Sequence, residues 1–120
     1  MTVENTEIIE GEIVFREILS SFSCAIAYIL LEEVSRADAP SNEISRVVLP
    51  GISMDKDDLH PIPFRITYPT PRKQKRYTIS VLIDIDGDGR ISLGDYITTE
   101  SYSIPYQSKH PLKVYVQRVK

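Results

Sequence analysis

A chain of 120 residues, 42% hydrophobic and 26% charged, has the size and composition of one folded domain and not of a disordered segment. Its net charge of −3 gives no broad attraction to nucleic acid or to an anionic membrane surface. With Cys24 as its single cysteine, an intrachain disulfide is excluded.

The opening stretch, MTVENTEIIEGE, is acidic and polar and lacks the basic start and apolar stretch of a signal peptide. The expectation is a cytoplasmic protein, or a periplasmic or cell-envelope one if an export signal stands ahead of Met1. Residues 1–7 read as a flexible tail and 8–119 as the core of a single domain spanning 1–120. The longest apolar run, CAIAYILL, is too short to cross a bilayer, so no direct membrane insertion is expected.

Strand periodicity dominates from there. In IIEGEIVF, Ile9, Gly11, Ile13 and Phe15 share one face and Glu10 and Glu12 the other. Residues 25–34, AIAYILLEEV, also fit a helix by periodicity. The alternation of Ile26, Tyr28 and Leu30 and the neighbouring strands favour a strand. Cys24, just before it, reads as a small packed apolar residue and not as a reactive thiol.

SRADAPSN is a polar loop, EISRVVLP a short strand ending at Pro50, and GISMDKDDLHP a second loop. In IPFRITYP, Ile62, Phe64, Ile66 and Tyr68 alternate with Arg65 and Thr67, and prolines 61, 63 and 69 mark a sheet edge. PTPRKQKR is a basic turn. RYTISVLIDID puts Tyr77, Ile79, Val81 and Ile83 inward, YITTESYSI is β-rich, and PLKVYVQRV puts Leu112, Val114 and Val116 inward. About seven short strands without a confident helix predict an all-β fold, a single antiparallel β-sandwich of immunoglobulin-like Greek-key type.

Residues 84–95, DIDGDGRISLGD, carry the clearest chemistry. Calcium is held by six to eight oxygens, and Asp84, Asp86, Asp88, the Arg90 carbonyl, Ser92 and Asp95 fall at the ligand positions of a calcium loop. Gly89 stands where such a loop turns sharply, and Ile91 where an apolar side chain would pin it to a core. Asp95 replaces the usual Glu, and the shorter side chain weakens bidentate reach. The flanking segments are strand-like, so the loop closes a β-hairpin and is no EF-hand. The plainer reading is an acidic turn: DGDG alone suits a tight turn. It leaves Asp84, Ile91, Ser92 and Asp95 at these offsets unexplained.

Nothing else builds an active site. His60 and His110, with Asp55, Asp57 and Asp58, match no metal spacing and read as turn residues. Ser20, Ser21 and Ser23 lie in no nucleophile motif, and phosphate-binding and dinucleotide-binding glycine motifs are absent. The basic run Arg72, Lys73, Lys75 and Arg76 reads as a solvated turn that discourages edge association, not a nucleic-acid site.

Three stretches, GEIVFRE, LLEEVSRADAPS and HPIPFRITYP, resemble YbaY-type lipoproteins, a family also described as type III secretion lipoprotein chaperones or pilotins. DGDGRISLGDY followed by a Thr-rich strand is similar to a segment of some members, and the likeness spans about residues 11–119. The resemblance implies a small β-sandwich with a non-enzymatic role. Pilotin members are thought to help secretins reach and assemble in the outer membrane. Family lipoproteins carry a signal peptide and a lipid-modified cysteine near the mature N-terminus. Here Cys24 lies in the second-strand region, and LSSFSC replaces a PPG-like turn.

The leading expectation is a non-enzymatic module that binds another protein by a sheet edge or loop, with VSRADAP and the 61–69 strand as candidate surfaces. The alternative is a structural envelope domain with a calcium-stapled hairpin. A metal-dependent hydrolase is a third reading and lacks an identifiable base. Oligomeric state is not readable from the sequence.

Overall fold

The computed structural model describes residues 6–34, 42–69, 76–104 and 111–120. Within them the chain forms eight strands: β1 (Thr6–Phe15), β2 (Phe22–Glu33), β3 (Asn42–Met54), β4 (Ile62–Pro69), β5 (Tyr77–Asp84), β6 (Tyr96–Thr98), β7 (Tyr102–Ile104) and β8 (Leu112–Arg118). The described residues contain no helix. The expected all-β class holds; the expected two stacked sheets do not.

A single continuous sheet runs β3-β2-β5-β6-β8-β1-β4 and curls almost into a barrel. Two features depart from a Greek-key sandwich. β1 pairs β8 in parallel, from Gly11↔Leu112 to Phe15↔Val116, joining the two ends of the chain. β5 takes β6 and β7 on the same side, as two halves of one interrupted strand: Leu82 and Ile83 face β6, and Tyr77–Ile79 face β7. Side chains bridge the break. The Val81 N–H donates to Thr98 Oγ1 at 3.1 Å, and the Tyr115 N–H to the Tyr102 hydroxyl at 2.9 Å.

The core lies inside the curl, as in small barrels whose interior is filled by side chains. Its inward residues follow the period of two expected for β1, β4, β5 and β8: Ile9, Ile13, Phe15; Ile62, Phe64, Ile66, Tyr68; Tyr77, Ile79, Val81, Ile83; and Leu112, Val114, Val116. Burying one such Ile or Val stabilises by about 1.5–3 kcal/mol, so these four strands supply most of the drive to fold.

β2 uses the opposite parity to the one that its large residues suggest. Ala25, Ala27, Ile29 and Leu31 are fully buried, while Ile26, Tyr28 and Leu30 are half-buried on the outer face.

β2 and β3 also carry the irregularities. Ala25↔Ile52 is followed by Ala27↔Leu49, so the Pro50–Gly51 step contributes an extra residue and β3 continues past Pro50 to Met54. Gly51 has φ 69°, which a bulge at a proline requires and glycine tolerates. Phe22↔Met54 to Ala25↔Ile52 places another extra residue on β2, at Ser23–Cys24. Cys24 is exposed there with φ 60°, so it is not the packed apolar residue expected.

β3 and β4 are the two ends of the sheet. They approach each other, yet no ladder joins them among the described residues. Among the described residues β4 pairs only with β1, from Thr6↔Pro69 to Ile13↔Ile62. Proline fits such a ladder only with its nitrogen turned from the partner strand. Pro63 therefore presents a donor-less position toward β3, and a closed barrel cannot zip there.

Candidate functional site

The 84–95 loop leaves the sheet at Asp84, the last residue of β5, and returns at Asp95, just before β6. Tyr96 enters the core and packs edge-on against Phe15 at 5.2 Å and beside Phe22 at 6.0 Å. That anchoring draws Asp95 inside. Asp84 and Asp95 are both fully buried, unusual for carboxylates without built partners.

The partners are main-chain donors. Asp84 accepts from the Gly87 N–H at 3.0 Å through Oδ1 and from the Gly89 N–H at 2.8 Å through Oδ2. Asp95 Oδ1 accepts from Ile85 N–H at 2.8 Å, and Oδ2 from Ser92 N–H at 3.0 Å. The Ser92 hydroxyl lies 2.9 Å from Asp86 Oδ2 and 3.0 Å from Asp95 Oδ2, and its one proton serves one of them at a time. Asp88 accepts from Arg90 N–H at 2.9 Å. Gly87 and Gly89, at φ 75° and 73°, make the turns that aim these donors inward.

Four of the predicted ligands therefore converge. One carboxylate oxygen from each of Asp84, Asp86, Asp88 and Asp95 lies within 4.8 Å of the others. Ser92 joins through its hydroxyl, and Arg90 is tied in by its N–H. Each carboxylate oxygen keeps a lone pair beyond the one engaged by its N–H, so the hydrogen bonds and a cation are compatible. Burial pushes the Asp84 carboxyl above its ordinary range, with Asp86 adding to the rise and the Gly89 N–H opposing it. The Ser92 hydroxyl and then Asp84 hold exposed Asp86 below its ordinary range.

Ile91 does not pin the loop: it is 62% exposed, and Leu93 is 77% exposed. The loop is fastened instead through its backbone, with Gly94 N–H donating to the Val119 carbonyl at 3.1 Å and Val119 N–H to the Asp95 carbonyl at 2.8 Å.

The remaining candidates stay apart. Asp55 caps its own turn, accepting from Asp57 N–H at 2.9 Å through Oδ1, while the Lys56 N–H donates to Ser21 Oγ at 2.9 Å. His60 is exposed, with its N–H directed to Met54 Sδ at 3.5 Å. His110, Arg72, Lys73 and Lys75 and the SRADAPS loop lie outside the described residues. The Arg76 carbonyl accepts from Val34 N–H.

Sequence reasoning pointed to the 61–69 strand but missed what faces it. A groove of about 780 Å³ opens at the unzipped seam, between Val47 and Leu49 of β3 and Pro63, Phe64 and Arg65 of β4, with Glu10 and Glu12 on its rim. Gly11 is part of the lining because the Phe64 ring lies directly on it, where a Cβ would come within 2.3 Å of the ring. The sequence signals were the prolines at 61 and 63 and the lone glycine in β1.

No family model matches the chain, and no curated protein does. A search of solved structures finds similarity to an alternative pilotin from the type II secretion system of Vibrio cholerae. The two share 25% identity and a TM-score of 0.68, over 96% of this chain and 100% of that one.

Proposed function

We propose that the chain is a single-domain, non-enzymatic protein-binding module of the pilotin kind, acting in the cell envelope to help a secretion-system component assemble. The observation that carries this reading is likeness to a pilotin over nearly the whole length of both chains. A match of that extent compares complete folds, not a shared hairpin. The open seam supports it, since a sheet that leaves two edges unpaired among the described residues, beside a groove with apolar lining, retains a place for a partner chain. The sequence resemblance to YbaY-type lipoproteins agrees in kind and makes a secretin the client to test first. Deleting the gene in its host should leave secretin monomers at the expense of heat-resistant multimers, with restoration by the wild-type gene. Unchanged multimers would contradict the reading.

A second reading concerns the acidic loop. Asp84, Asp86, Asp88 and Asp95, with Ser92 and the Arg90 carbonyl, bind calcium and staple the β5–β6 connection. Support comes from the convergence of four carboxylates within 4.8 Å, two of them fully buried. Thermal unfolding in millimolar calcium, against excess chelator and with magnesium as control, tests it. At a hundredfold excess over the dissociation constant, stabilisation is about 2.7 kcal/mol. For a domain of this size that is roughly a 10 °C rise. A calcium-specific rise lost in Asp86→Ala supports the staple; no rise at any calcium level returns the loop to a hydrogen-bonded turn.

A further inference from the structure

We infer that the free edge of β3 over residues 43–49 is the docking edge, and that its occupant is an extended protein segment with apolar residues at alternate positions and a basic residue over Glu12. This rests on the protein-binding reading above and names its surface and partner chemistry.

The two lips of the groove differ in what they offer. Pro61, just before β4, and Pro63 within it have no N–H, so a strand laid against that lip would lack main-chain donors there. Among the described residues β3 pairs with β2 alone, and from Glu43 to Leu49 it contains no proline. Its register with β2 shifts at Ile44 and is regular from Ser45 to Leu49, so within 45–49 every second residue turns its N–H and C=O toward the seam, with no strand to meet them among the described residues. An acyl chain would cover the apolar lining but leave those groups unmet. A polypeptide in the β conformation satisfies them, and that selects the class of occupant.

The side chains set its pattern. Ile44, Val47 and Leu49 pack against the core but are only half-buried, and Phe64 and Pro63 lie across the groove from Val47 and Leu49. An added strand would place alternate side chains onto this lining, which asks for apolar residues at a spacing of two. The rim sets its charge. Glu10 is neutralised by Arg65 at 2.7 Å, its cross-strand partner, while Glu12 has no ion-pair partner among the described residues. Lys or Arg on the occupant complements it, and Asp or Glu there is disfavoured.

The test is selection from a phage-displayed random peptide library on the immobilised full chain, followed by amide hydrogen exchange with one selected peptide in synthetic form. The expected peptides alternate apolar and polar residues, carry Lys or Arg, and slow exchange over 43–49 but not over 62–65. Val47→Asp should weaken that peptide about tenfold or more. Glu12→Lys, a surface change, should also weaken it and keeps the test open if Val47→Asp does not fold. Three results would overturn the inference: no enrichment over uncoated support; protection confined to other strands, which would leave a protein-binding role standing at another surface; or the same 43–49 protection from laurate or from self-association of the peptide-free chain.

Discussion

At Gly11 the absence of a side chain makes room for one from the facing strand. The Phe64 ring occupies the space where a Cβ would stand, and the two residues are register partners across β1 and β4. Gly11→Ala should therefore lower stability by about 1–3 kcal/mol through overpacking. The midpoint of urea unfolding measures it, and Phe64→Leu in the same chain should recover part of the loss. Cys24 is the opposite case: a side chain stands at φ 60°, a conformation that glycine takes without strain. Cys24→Gly should raise stability by about 0.5–1 kcal/mol, the relief being partly offset by a more flexible unfolded chain. Tyr68 supplies a prediction in pH. Burial first, and then the hydrogen bond from its hydroxyl to Glu7 Oε2 at 2.9 Å, push its pKa from 10.0 up to about 12. A raised folded value means that its contribution is intact below pH 10 and is lost as pH rises toward 12. The fall in melting temperature across that window should be smaller in Tyr68→Phe than in the parent.

At the scale of elements, the acidic loop separates into two kinds of carboxylate. Asp95 holds the Ile85 and Ser92 N–H groups inside the protein, whereas Asp88 is exposed and accepts a single local bond. In chelator, Asp95→Ala should cost about 1–3 kcal/mol, because it strands two part-buried donors of charge-assisted bonds. Asp88→Ala should stay within about 0.5 kcal/mol. Equal losses, measured by denaturant unfolding, would mean that the loop is held by something other than these bonds. The loop was legible in the sequence because it needs particular residue types at particular offsets, and four of its carboxylates do meet. Ile91 misled, since an apolar residue in a loop does not say which way it points. Strands β1, β4, β5 and β8 were legible because each buries one face only and alternates cleanly. β2 was legible as a strand but not in its facing: its core residues begin with two alanines, and Ile26, Tyr28 and Leu30 are half-buried on the outside. β3 was read too short because a proline followed by glycine looks like an end, and here it is a bulge.

For the whole molecule, strand order decides between a sandwich and a curled single sheet, and strand order leaves little trace in local pattern. The parallel contact of β1 with β8 joins residues about a hundred positions apart, and no turn residue announces it. The same non-local arrangement sets β3 and β4 face to face and leaves the seam that a client could use. The most direct measurement of the central claim is calorimetric titration of the purified chain with solubilised, unassembled secretin from the same host. Saturable binding at one site is expected, with a dissociation constant of roughly micromolar or tighter, the range open to a standard-sized interface. Heats indistinguishable from dilution, with folded protein on both sides, would contradict it.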